Sequence, residues 1–224
     1  IFNDQDAAST YGNQHTTTAG PQYVIYFPET NNTVSELMVA GYQKFLENDF
    51  WCLSNSTSQI KDAMHQYGQT GLQLDGHSRG AMTLGNGLES QAANPNAQGS
   101  LSQTTVNFFG PAYNAQQADN LLSTLQDRAN LPAAQQPSLA LQFQNHAADP
   151  VGGLIGGNPP TGGTVPQGSR PIKEAFRAVT GQSTTVHNCY GQSQDPNCGK
   201  FWRDTGGFPA FIPVPESPAQ GASQ

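Results

Sequence analysis

LQLDGHSRGAMTL, residues Leu72 to Leu84, is the stretch whose reading decides the fold. A short apolar run is followed by Gly76-His77-Ser78-Arg79-Gly80 and then by good helix formers. A serine between two glycines at a strand-to-helix junction has two explanations. As the nucleophile of an acyl-transfer enzyme, it needs a sharp turn that exposes its hydroxyl, and flanking glycines relieve the crowding. As an ordinary helix N-cap, it needs only to accept a hydrogen bond from the first turn. The motif alone is weak in a chain with 24 glycines among 224 residues, so the flanking elements have to decide.

Reading outward, those elements alternate. Residues 1–20 are polar and turn-rich, a lead-in arm. Tyr23-Val24-Ile25-Tyr26-Phe27 is β-branched and aromatic and ends at Pro28, which predicts a buried strand. Thr33 with Glu36 forms a capping box for a helix through Leu37, Val39, Ala40, Phe45 and Leu46. A second helix from Thr57 to Tyr67 places Ile60, Ala63, Met64 and Tyr67 on one face and stops at Gly68. Then come the strand Leu72–Leu74, a helix from Arg79 to Gln91, a strand Thr104–Phe109 ended by Gly110-Pro111, and a helix Ala115–Arg128 with Ala118, Leu121, Leu122 and Leu125 inward. Ser138–Phe143 reads as a further strand. Val151–Gly168 is too rich in Gly and Pro for regular structure and reads as a long loop or flap. Arg170–Val179 reads as a helix, Phe201-Trp202 as the start of an irregular segment, and the chain from Pro213 as a Pro-rich, poorly ordered tail. This order predicts one α/β domain over residues 1–224, with a mostly parallel central sheet and helices on both faces.

Composition narrows the function. Only 11% of residues are charged, against roughly 25% in an average soluble domain, so Gln, Asn, Ser, Thr and Gly supply the polarity. Such surfaces are common in exported bacterial proteins. A net charge of −7 with no basic block excludes a phosphate-neutralising face and with it nucleic acid as partner. No apolar run approaches the roughly 20 residues of a membrane span. The opening IFNDQDAAST has neither a basic nor an apolar signal region, so export would use a signal elsewhere in a longer protein. Of three cysteines, Cys189 and Cys198 are near enough to close a small disulfide loop, leaving Cys52 as a buried thiol; three unlinked thiols are the alternative. The odd count without a Cys-x-x-Cys pair argues against a zinc site.

If Ser78 is the nucleophile of an α/β-hydrolase, an acid and then a histidine must follow it in the chain. Of five histidines only His146 and His187 lie beyond Ser78. Asp149 follows the strand SLALQF, at the edge where such a sheet carries its active-site loops, whereas Asp119, Asp127 and Glu174 lie in predicted helices and read as solvated surface groups. Choosing Asp149 leaves His187 as the later histidine. The bland readings are a loop histidine for His187 and a turn residue before Pro150 for Asp149. His77 and His146 read as structural neighbours, with His77 helping to shape the turn. The Arg79 backbone N–H, at a helix start, is one expected oxyanion donor, and the Arg79 side chain is a candidate for attracting an anionic head group.

Gly76-His77-Ser78-Arg79-Gly80-Ala81 resembles the elbow of lipase-like α/β-hydrolases, including bacterial antagonistic lipase effectors with an arginine after the serine. Asn145-His146-Ala147-Ala148-Asp149-Pro150-Val151-Gly152 is similar to the acid-bearing segment of class 3 lipases, and His187 followed by Tyr190 resembles their late histidine. ELMVAGYQKFLENDFWCLSNST and LDGHSRGAMTLGN look like segments near the C-termini of very large haemagglutinin-type adhesins exported by two-partner secretion, many of them active in contact-dependent growth inhibition. The resemblance implies a serine esterase or lipase with Ser78, Asp149 and His187 as triad and no metal or organic cofactor. Family members take a second oxyanion donor from the loop after the first strand, here Pro28 to Thr30, which points to Thr30. It further implies an ester or lipid substrate, a toxin or effector domain at the bacterial surface within a larger exported protein, and a cognate immunity protein. The chain departs from typical lipases in having no obvious amphipathic lid helix; Val151–Gly168, with Leu154-Ile155, is a possible flap in its place. The rival reading is a non-hydrolytic adhesin or export module that keeps the scaffold.

Overall fold

The strand with which LQLDGHSRG begins lies at one end of a four-stranded sheet in the computed structural model, which describes residues 23–24, 55–170, 186–191 and 196–215. In chain order the elements are helix α1 (Asn55–Tyr67), strand β1 (Gln73–His77), helix α2 (Arg79–Ala92), strand β2 (Thr105–Phe109), helix α3 (Ala115–Gln126), a 3-10 turn (Arg128–Asn130), the short helix α4 (Gln136–Leu139), strand β3 (Gln142–Gln144), a π-helical turn (Val151–Ile155), a 3-10 turn (Val186–Cys189), helix α5 (Pro196–Asp204) and strand β4 (Ile212–Pro213). The sheet order is β1-β2-β3-β4. β1 and β3 run parallel to β2, and β4 closes the described edge antiparallel to β3. This is an α/β fold on a mixed, mostly parallel sheet.

Local chemistry explains the central elements. In β1, Leu74 and Gly76 are buried while Gln73, Asp75 and His77 are half-buried, so the strand alternates rather than hiding both faces. Asp75 satisfies its carboxylate with the amides of Gln73 and, across the strands, Asn107. A Cβ on Gly76 would lie 2.8 Å from the Cα of Ala81, so only glycine lets α2 fold back this closely on its own strand. α2 packs between α1 and α3 and onto β1. Its Leu84 and Leu88 join Met64 of α1, Leu122 of α3, Phe108 of β2 and Phe143 of β3 in the main apolar core. Burying each of these large side chains contributes on the order of 1.5–3 kcal/mol. α3 starts where Asn114 accepts from the Gln117 N–H and ends at Asp127, whose φ of 57° closes the helix in a left-handed conformation.

Several sequence expectations are corrected. The predicted strand Ser138–Phe143 divides: Pro137 near the start of α4 lets Gln136–Leu139 coil, and the strand is Gln142–Gln144. Asp119 is no surface group. It is buried, pairs with both terminal nitrogens of Arg128 at 2.8 and 3.0 Å, and accepts the Leu141 N–H at 2.8 Å. Arg128 also donates to Gln126 and to the Leu139 carbonyl, so the pair sits in a filled hydrogen-bond network. Phe201 and Trp202 are helical, in α5, because Pro196 suits a first helical position. Pro213 is no loose tail: it pairs with Gln142, and Val214 is buried with its N–H on the Leu141 carbonyl. Of the predicted first strand only Tyr23 and Val24 are described, both exposed and in no strand. Cys52, Glu174, the helix expected over 33–46 and, apart from Arg170, the helix expected over 170–179 lie outside the described residues.

Candidate active site

Ser78 joins β1 to α2 with φ 55° and ψ −119°, a backbone conformation that L-residues adopt at a cost of about 1–3 kcal/mol. An N-cap serine sits instead in the β region and accepts from the first turn through its side chain. Ser78 makes no such bond, so the cap reading fails. The turn is held by its backbone: the Ser78 N–H donates to the Phe109 carbonyl at the end of β2, and the Ser78 carbonyl accepts from Ala81 and Ala112. Its side chain keeps a narrow opening, the residue being 8% exposed. The two flanking glycines differ. Gly76 is required by the helix behind it, while a Cβ on Gly80 would meet nothing within 4 Å.

His187 and Asp149 come together as the chain order predicts. The imidazole Nδ1 lies 2.9 Å from Asp149 Oδ2 and 3.1 Å from Oδ1, both groups being buried. Burial alone would push the Asp149 carboxyl up. The His187 charge and hydrogen bond, the Tyr190 hydroxyl and the Val151 N–H outweigh it and hold the group below the usual carboxylate range. An ionised carboxylate only accepts, so Nδ1 donates to it, and with a single proton on the ring the free lone pair is the one on Nε2.

Two residues to which the sequence reading gave no role in the site complete this cluster. Tyr190 is fully buried, donates its hydroxyl to Asp149 Oδ2 at 2.7 Å and accepts the His146 N–H at 2.8 Å. Burial and the facing carboxylate raise its phenol well above the ordinary range, so it stays a donor. Gly110, with φ 50°, gives the cluster its room. A Cβ there would lie 2.5 Å from the Tyr190 ring, 2.6 Å from Asp149 Oδ2 and 3.0 Å from His187 Nδ1. The only sequence sign of that role was Phe-Phe-Gly-Pro at a strand end.

Ser78 and His187 are both anchored around the end of β2. Phe109 holds the Ser78 N–H, Gly110 borders the His187 ring, and His77, next to Ser78, stacks on that ring with centroids 4.7 Å apart. The hydroxyl itself makes no hydrogen bond among the described residues, so the Ser78–His187 link is not closed by a direct bond. In enzymes without substrate such links are often long. Arg79 is buried at the start of α2. Thr30 lies outside the described residues.

The turn that carries His187 is covalently tied. Cys189 and Cys198 form a disulfide that links it to α5, settling the open alternative. His146 is structural: its Nδ1 accepts the Ala148 N–H, its Nε2 faces the Thr205 carbonyl, and its ring lies against Trp202. The expected flap is bound down over its first half. Val151–Ile155 is a π-helical turn, and Asn158 ties it to Pro111, Tyr113 and Gly152. Gly162 then bridges to the chain at His146 and Ala147. Leu154, 64% exposed, is the apolar side chain left standing out on the turn. Among the described residues no helix is long and apolar enough to cross a membrane, and no three His, Cys, Asp or Glu side chains group as metal ligands. No family model, curated protein or solved structure matches the chain.

Proposed function

We propose that this chain is a serine hydrolase of the α/β-hydrolase class, esterase- or lipase-like, working through an acyl-enzyme on Ser78. The observation that carries the reading is the strained Ser78 backbone at a strand-to-helix turn, with no capping bond to account for the residue. Strain of this kind persists where the surrounding structure enforces it and clusters at functional sites. The buried Asp149–His187 pair on the far side of Gly110 supplies the matching base and orienting acid.

In this mechanism His187 Nε2 takes the Ser78 Oγ proton as the oxygen attacks an ester carbonyl, and Asp149 stabilises the imidazolium that forms. The Arg79 N–H, at the head of α2, donates to the developing oxyanion, and Thr30 is the proposed second donor. Collapse passes the proton from His187 to the leaving alkoxide. Water, deprotonated by His187, then attacks the acyl-serine, releasing the acid and restoring Ser78. The quoted resemblances extend the proposal to a toxin or effector domain of a large exported adhesin, matched by an immunity protein.

A serine-directed fluorophosphonate tests the reading. Wild-type protein is expected to be labelled at Ser78 and to hydrolyse a short-chain p-nitrophenyl ester, and Ser78→Ala to do neither while folding normally. A wild type that is neither labelled nor active leaves the non-hydrolytic adhesin module.

A further inference from the structure

We infer that His77 is a positioning residue for the proposed base: through its side-chain N–H it ties the turn that carries the nucleophile to the loop that carries the imidazole. The inference rests on the hydrolase reading above and extends it to a residue outside the triad.

The His77 Nε2 lies 2.8 Å from the backbone carbonyl oxygen of His187. A carbonyl only accepts, so Nε2 carries the proton and donates. The two rings stack, 4.7 Å between centroids and 29° between planes, and the Tyr190 ring tilts against His77 at 6.1 Å. Among the described residues, the other anchors of the base lead away from the nucleophile. Nδ1 is held by Asp149 beyond the end of β3, Tyr190 holds that same carboxylate, and the disulfide leads to α5. The His77 bond alone among these crosses to the β1 side, and it starts from a fixed point, because the next residue's N–H is held by Phe109. The 77–78 peptide therefore sets the nucleophile's backbone on one hand and the main chain of residue 187 on the other. A displacement of about 1 Å between reacting groups can cost a hundredfold in rate, which gives such a tie its worth.

Two substitutions separate the N–H from the ring. His77→Gln keeps an N–H donor of similar reach and loses the stack; His77→Phe keeps a stacking ring and loses the donor. The full chain is assayed for kcat and KM on a short-chain p-nitrophenyl ester and for its rate of fluorophosphonate labelling, with intact mass confirming the disulfide and circular dichroism confirming the fold. His77→Phe is expected to lower kcat and the labelling rate by about tenfold or more, the scale of one lost positioning hydrogen bond, with KM within about twofold of wild type. His77→Gln is expected to stay within about threefold of wild type. Should His77→Phe fail to fold, His77→Asn, whose amide is too short to reach the carbonyl, takes its place with the same expected loss. Wild-type kcat and labelling in the donor-less variant would overturn the inference, as would a loss in His77→Gln equal to that in His77→Phe. A wild type that is neither labelled nor active overturns the hydrolase reading and the role with it, a result distinct from any difference between the variants.

Discussion

The two halves of the proposed site are built differently. The nucleophile half is local: a strand, a turn and a helix within Gln73–Ala92 create it, and backbone hydrogen bonds with one indispensable glycine hold it. The acid–base half is assembled at long range. Asp149, His187, Tyr190 and Gly110 come from three separate loops and meet through side-chain hydrogen bonds, one left-handed glycine and a disulfide. A local device tolerates change around it provided its backbone can still turn. An assembled one depends on every member, because each buried polar group is satisfied by another.

Perturbing the assembled half is accordingly expected to matter most. Asp149→Asn keeps the volume but presents an amide to His187, reversing the tautomer that leaves Nε2 free; a drop in kcat on the order of 10⁴-fold is expected from steady-state kinetics. A loss of tenfold or less would show that Asp149 is not the orienting acid. Gly110→Ala adds a methyl group against Tyr190 and Asp149 at a positive φ and is expected to cost about 3 kcal/mol in urea unfolding. Stability near wild type would mean that the cluster is looser than its distances.

Acidification probes the same half. Burial holds the His146 imidazole below its ordinary value of 6.5, so from about pH 6.5 downward the unfolded chain binds a proton that the folded one refuses. Asp149 is held below its ordinary 3.8, so its contribution is present above that value and is lost as pH falls through the folded one. Both act in one direction. The urea midpoint is expected to fall between pH 7 and 5.5 and again below pH 4, and a midpoint that rises on acidification would contradict both. The smallest effect belongs to the local half: Gly80→Ala, with open space at its Cβ and a helical backbone, is expected to be neutral to about 0.5 kcal/mol more stable by thermal unfolding.

The same division explains what was legible in the chain. α1, β1, α2, β2 and α3 follow from apolar spacing and turn residues within short windows, and their observed bounds differ by a few residues at most. Asp149 and His187 were reached by chain order, a rule about topology rather than local pattern. Gly110 and Tyr190 could not be reached that way, because their value exists only once residues from three loops are neighbours. Asp119 misled for a related reason: inside a helix it looks solvated until Arg128 folds back on it. In β3 the apolar letters of SLALQF outweighed Pro137, while the polar Gln144, which continues the strand, read as loop.

The Asp119–Arg128 network also reaches the site from a distance. By gripping the Leu141 amide and the Leu139 carbonyl just before β3, it fixes the point from which the strand is counted. Sliding that strand one residue along its neighbour would turn Phe143 out of the core and rotate everything downstream. The carboxylate five residues beyond Gln144 is thus aimed by a charge pair it never touches, much as a sight is set by the mount rather than the barrel.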